Sequence, residues 1–205
     1  MFSYEEVRAA VFQMEDNKAL GPDGYPTEFY EAFWDTIKVD LMAMFMDFHN
    51  RNLLLHSLNF GIITLLPKKT NDVQIQQYIP ICLLNVSFKI FTKVAVNILT
   101  HVADNVIRPT QSAFMPGRHI LEGVVVLHKM LDELHRSKAN RVILKLDFEK
   151  AYDNVRWSFL QKTLRMKGFL EKWCSWIQSF VSKGSVGIKV NDNIGKKFQT
   201  KKGLR

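Results

Sequence analysis

An apolar stripe near the start constrains this chain more than any other feature. From Thr27 to about Asn50, Phe29, Phe33, Ile37, Leu41, Met44, Phe45 and Phe48 recur three or four residues apart, the spacing of one helix face. The stripe predicts a single long amphipathic helix over 27–50 whose rings serve a core rather than a cofactor. Ahead of it, Ser3 and Glu6 have the spacing of a capping box before Val7, Ala10, Val11 and Met14, predicting a first helix over 4–16. Between the two, Asn17 to Pro26 holds two glycines and two prolines and reads as a rigid loop.

The pattern then changes period. Phe60–Lys69 reads as a strand ending at Pro67 and two lysines, and Tyr78–Asn85 as a second extended piece; together they predict a hairpin with lysines at its tip and one edge made irregular by Pro80. Helical spacing returns over 86–105 and 121–136. A strand is expected at 141–147, helices at 157–167 and 170–182, and two closing strands about Asn191-Asp192-Asn193. This order is α+β, without internal repeat or low-complexity linker.

With 47% hydrophobic residues in 205, the chain can build a sizeable core in one domain or two small lobes. No apolar run is expected to reach the roughly 18–20 residues of a membrane span, and Met1–Glu6 lacks the features of a signal peptide. Cys82 and Cys174 stand far apart with no metal-ligand spacing, so a reducing, intracellular setting is the default, nucleus or cytoplasm unassigned. Lys and Arg number 28 against 20 Asp and Glu, a formal +8 that suits a nucleic-acid partner as well as an ordinary basic domain.

The chemistry concentrates where the run Val142, Ile143, Leu144, Leu146 ends in Asp147, with Asp153 six residues on. A carboxylate at a strand end is either a cap for the next helix or an oxygen ligand for Mg²⁺, which takes one or two protein carboxylates plus phosphate oxygens. Backbone N–H groups in the turn after it can hold a triphosphate. Asp153, directly before a helical stretch, is expected to be that helix's N-cap. A phospho-accepting receiver domain also carries a strand-end Asp, but it needs an early acidic pair and alternating βα units, and this chain has neither.

Six stretches, "NKALGPDGYPTEFYEAFW", "SLNFGIITLLPKK", "YIPICLLNVSFKIFTKV", "PTQSAFMPGRHILEG", "LKLDFEKAYDNVRWSFL" and "KKGLR", occur in this order. In order and spacing the chain resembles the reverse transcriptase of non-LTR (LINE-type) retrotransposons, especially the plant kind, from Glu5 to Arg205. The resemblance implies a right-hand polymerase fold: residues 1–140 would be helical fingers with a β-hairpin and the start of the palm, and 141–205 an incomplete palm sheet. The activity implied is transfer of dNMP to a DNA primer 3′-hydroxyl on an RNA template, with Mg²⁺ ions roughly 3.5–4 Å apart at the attacking and leaving oxygens.

Residue by residue, the resemblance makes Asp147 the catalytic metal ligand and gives the backbone carbonyl of Phe148 to a metal. Ala151 and Tyr152 would lie under the incoming dNTP, the Tyr152 ring crowding the sugar 2′ carbon. Lys68, with Lys69 next, would reach the triphosphate, unless both are solvated tip residues. Gln111 and Arg118 would handle template and primer. In "GPDG", Gly21 and Gly24 would serve backbone geometry and Asp23 its turn.

Departures from the family pattern accompany the match. Ile79 stands where the family has a triphosphate-gripping arginine, and Ile98 at a second basic position, the arginine of the family's Asn-Arg-Leu. The family's paired-aspartate hairpin and thumb would come after the last residue, Arg205, so these 205 residues are expected to be inactive alone. The alternatives are a non-catalytic nucleic-acid-binding remnant and a decayed retrotransposon open reading frame.

Overall fold

The computed structural model describes residues 1–51, 58–70, 73–138, 142–182 and 184–204. They form two compact units, residues 1–95 with 150–205, and residues 96–149. The capping box forms: Ser3 Oγ accepts from the Glu6 amide at 3.1 Å, and the Glu6 carboxylate accepts from the Ser3 amide at 2.7 Å. It opens α1 (Tyr4–Phe12), which buries Val7, Ala10 and Val11 and stops short of position 16, with Gln13 at φ −99° and ψ −1° as its C-cap.

The stripe over 27–50 does not make one helix. α2 (Thr27–Ala32) and α3 (Trp34–Arg51) meet at Phe33, whose φ of −101° and ψ of 17° leave helical geometry. Apolar residues four apart advance about 40° round a helix per step, so on one straight helix Phe29 and Phe45 would stand about 160° apart. The break resets the face. Trp34 turns inward while Phe33 is 51% exposed, and Leu41, Phe45 and Phe48 follow Trp34 into the core. There Phe45 stacks on Phe91 with centroids 3.9 Å apart, Phe48 on Phe180 at 5.2 Å, and Phe2 meets Trp176 at 4.7 Å. Each such pair adds about 0.5–1.5 kcal/mol beyond the area it buries.

The expected hairpin is present as β1 (Phe60–Pro67) and β2 (Tyr78–Leu84), antiparallel from Gly61 opposite Leu84 to Pro67 opposite Tyr78. Residues 71–72 at its tip lie outside the described residues. Pro80 fits because β2 is an edge strand, where a missing N–H need not cost a ladder bond. On the other side of β1 runs β3 (Ser185–Val190), parallel, with Gly61 beside Val186. The far edge of β3 carries β4 (Asn193–Ile194) and β5 (Phe198–Gln199), both antiparallel to it. The closing segment therefore contributes three strands rather than two.

The remaining helices are α4 (Val86–Val106), α5 (Ile120–Ser137), α6 (Trp157–Met166) and α7 (Glu171–Val181). At 21 residues α4 is, by length and composition, long and apolar enough to cross a membrane, which corrects the expectation that no run reaches that length. Its inward residues Val86, Phe88, Ile90, Phe91, Val94 and Ala95 are buried.

The expected strand at 141–147 is also corrected. Arg141 lies outside the described residues, and 142–148 join no ladder, with Val142 92% and Leu144 75% exposed. A strand exists only where a neighbouring backbone takes up its N–H and C=O groups, and none of the described strands pairs with this run.

Candidate functional site

The expected functional residues divide between the two units, and their geometry is defined within each. In the first unit, the loop Gly21–Gly24 packs against the end of β2. A Cβ on Gly21 would stand 2.5 Å from the Leu84 carbonyl oxygen and 2.7 Å from Asn85 Cα, so only glycine permits this approach. Gly24 has φ +74°, the Asp23 carboxylate accepts from the Tyr25 amide at 3.3 Å, and the Asp23 amide donates to Asn85 Oδ1 at 3.2 Å. Both glycines and the aspartate thus serve backbone geometry.

At the hairpin tip Lys68 and Lys69 are exposed. The Lys68 amide donates to the Gln77 carbonyl at 3.0 Å, continuing the ladder past Pro67, and its Nζ donates to the Gln76 carbonyl at 3.2 Å. Ile79 lies opposite Leu66; both are 46% exposed. An isoleucine there offers a phosphate nothing to bond.

The turn after the acidic stretch is built differently from expectation. Tyr152–Asn154 is a single 3-10 turn, and Arg156, not Asp153, occupies the N-cap of α6, with no side-chain cap bond. Asp153 is not the cap because Val155 and Arg156, both in extended conformation, separate it from the helix. The turn is held instead by residues 202–204. The Gly203 amide donates to the Val155 carbonyl at 2.8 Å and the Leu204 amide to the Tyr152 carbonyl at 3.0 Å. Trp157 Nε1 donates to the Gly203 carbonyl at 2.9 Å, and Lys202 Nζ to Asn154 Oδ1 at 2.7 Å. Gly203 has φ +87°, and a Cβ there would come 3.0 Å from the Asp153 carbonyl oxygen. This latch leaves Ala151 exposed and the Tyr152 ring 60% exposed.

In the second unit Asp147 is exposed and Phe148 is 74% exposed, both outside regular structure. Among the described residues no group of three or more His, Cys, Asp or Glu stands together as a metal site. Arg118 is committed within its own loop: its guanidinium donates to Asp104 Oδ1 at 2.6 Å and to the carbonyls of Arg108 at 2.7 Å and Gln111 at 2.8 Å. It thereby closes the C-terminal end of α4, while Gln111 Nε2 donates to the Ala113 carbonyl at 3.1 Å.

Sequence reasoning missed two groups. Asn59, 2% exposed, directs its side-chain amide at the carbonyls of Ser179, Phe180 and Ser182 at 3.2–3.4 Å, capping the end of α7, while its own carbonyl accepts from the Ser185 amide at 3.1 Å. The only sequence signal was a polar residue immediately before an apolar strand. Lys202 is the other; its partner Asn154 lies far away in sequence. A polar cleft of about 380 Å³ is lined by Gln161, Arg165, Glu171 and Gln178 among others. Its charges are already matched, since Arg165 forks onto Glu171 at 2.6 and 3.0 Å and that bond holds the Glu171 carboxyl below its ordinary range.

Comparison with known proteins adds to this geometry. Residues 66–205 match the family model described as reverse transcriptase (RNA-dependent DNA polymerase). Over 201 residues, 98% of its length, the chain is 29% identical to the "Transposon TX1 uncharacterized 149 kDa protein" of Xenopus laevis, of which it spans 15%. That relative comes from a frog, so the expected likeness to plant elements in particular finds no support here.

Proposed function

The chain belongs to the reverse transcriptase (RNA-dependent DNA polymerase) family, and from that premise we propose that these residues are the fingers and the beginning of the palm of a LINE-type retrotransposon polymerase. The substrates are an RNA template, a DNA primer and a dNTP. In the reaction the primer 3′-oxygen bonds to the α-phosphorus, the bond to pyrophosphate breaks, and the hydroxyl proton leaves. The observation that carries the reading is the family match, because residues 66–205 include Lys68, Asp147 and Tyr152.

The donors present do not complete a two-Mg²⁺ centre. Asp147 gives one carboxylate and Phe148 one carbonyl, and among the described residues no group of three or more His, Cys, Asp or Glu stands together; Mg²⁺ dehydrates reluctantly and needs several fixed ligands. No chemical step is therefore assigned to these residues. Their work is to bind and orient: Lys68 and Lys69 offer charge to the triphosphate, and the latched Tyr152 presents its ring to the sugar, favouring dNTP over rNTP by bulk. The Arg118 loop supports the template side. By themselves these 205 residues bind substrate without extending it.

The test is equilibrium binding of a labelled RNA–DNA primer–template across a salt series. Binding that weakens steadily with salt, tightened by the complementary dNTP, is expected. Salt-independent binding, or indifference to which dNTP is added, would overturn the reading.

A further inference from the structure

We infer that the bulged outer edge of β3, residues 189–202, is a docking surface for the phosphodiester backbone of a single nucleic-acid strand, an assignment that rests on the polymerase reading and names where the strand lies. The Gly195 amide donates to the Ile188 carbonyl at 2.9 Å between β4 and β5, so 193–199 tracks β3 as one irregular edge. Residues 184–204 hold five lysines against one aspartate, a net +4 of the chain's formal +8.

The aspartate is already used, since Asp192 pairs with Lys189 at 2.9 Å. Among the described residues no carboxylate pairs with Lys196, Lys197, Lys201 or Lys202. Lys197 is held 4.2 Å over the Phe60 ring, and Lys202 is fixed by the neutral Asn154. Both contacts position an ammonium without neutralising it. Beside them Phe198 is 45% exposed, a face on which a base can stack. Fixed, uncompensated ammonium groups beside an open aromatic ring suit a phosphate-bearing strand.

The experiment measures anisotropy of a labelled single-stranded RNA bound to the full chain over a salt series. It compares the triple variant Lys196→Gln, Lys197→Gln, Lys201→Gln with an equal charge loss elsewhere, Lys129→Gln, Lys138→Gln, Lys145→Gln. If the three edge lysines each neutralise one phosphate, the log–log salt slope becomes shallower by about 2 and affinity near 0.1 M salt falls about a hundredfold. The control triple should keep the slope, and arginine at the three edge positions should retain it, which separates lost charge from lost fold. Equal slopes in the two glutamine triples would overturn this assignment alone, leaving the lysines as guards against edge-to-edge pairing. No binding by the unaltered chain at low salt would overturn both this assignment and the polymerase reading.

Discussion

Replacing Asn59 should be among the most damaging single changes to the first unit. The side chain is 2% exposed, and its two N–H groups are shared among three carbonyl oxygens at the end of α7. In Asn59→Ala those oxygens, two buried and one part-buried, lose these donors, and an uncompensated buried polar group costs about 1–3 kcal/mol. The bonds are long, so the lower half of that range applies to each; with two donors lost, about 2–4 kcal/mol is expected, a large share of the roughly 5–15 kcal/mol that holds a domain folded. Asn59→Asp should be worse at neutral pH, because a buried carboxylate would face three carbonyls. Its folded pKa would be raised, so the extra penalty is absent below the unfolded value near 3.9 and grows as pH rises through the folded one. Urea unfolding followed by tryptophan fluorescence, with Trp176 in the aromatic core, measures both variants. A loss under about 0.5 kcal/mol for Asn59→Ala, the range of an ordinary surface change, would refute the bracket.

Three further outcomes are expected. Gly21→Ala should destabilise by about 1–3 kcal/mol or more in the same assay, since the new Cβ would meet backbone atoms of Leu84 and Asn85 that cannot swing aside. Ile79→Arg should tighten dNTP binding about ten- to a hundredfold by titration calorimetry, the worth of one charge-assisted hydrogen bond. His49, whose Nε2 lies 2.7 Å from Lys172 Nζ, has its pKa lowered, first by burial and then by the Lys172 charge. The unfolded chain therefore takes up a proton before the folded one does, so stability is full above the ordinary histidine value near 6.5 and falls as pH drops through it. His49→Gln should flatten that fall in a series of urea melts.

Legible in the sequence was whatever neighbours in the chain decide. The Ser3–Glu6 box, the turn at Gly21–Gly24 and the hairpin are short-range, and they stand as read. The single helix over 27–50 failed because its four-residue spacing drifts round the axis, which a count of apolar residues hides. The strand at 142–147 failed because an apolar run does not supply its own ladder. The parallel β1–β3 pair, the Asn59 bracket and the latch of 202–204 on 152–157 join segments distant in sequence, and no local pattern announces such pairings. Of the expected site, Gly21, Gly24 and Asp23 have the roles read for them, and Asp153 does not.

The most direct test of the central claim is a primer-extension gel run with the purified chain, an RNA template, a labelled DNA primer, all four dNTPs and Mg²⁺ or Mn²⁺. The protein is expected to retain the primer–template and leave the primer at its starting length, because among the described residues Asp147 belongs to no group of three or more His, Cys, Asp or Glu that could hold the metal ions. Templated lengthening that vanishes in Asp147→Asn would contradict the claim that these residues bind substrate without completing the catalytic centre.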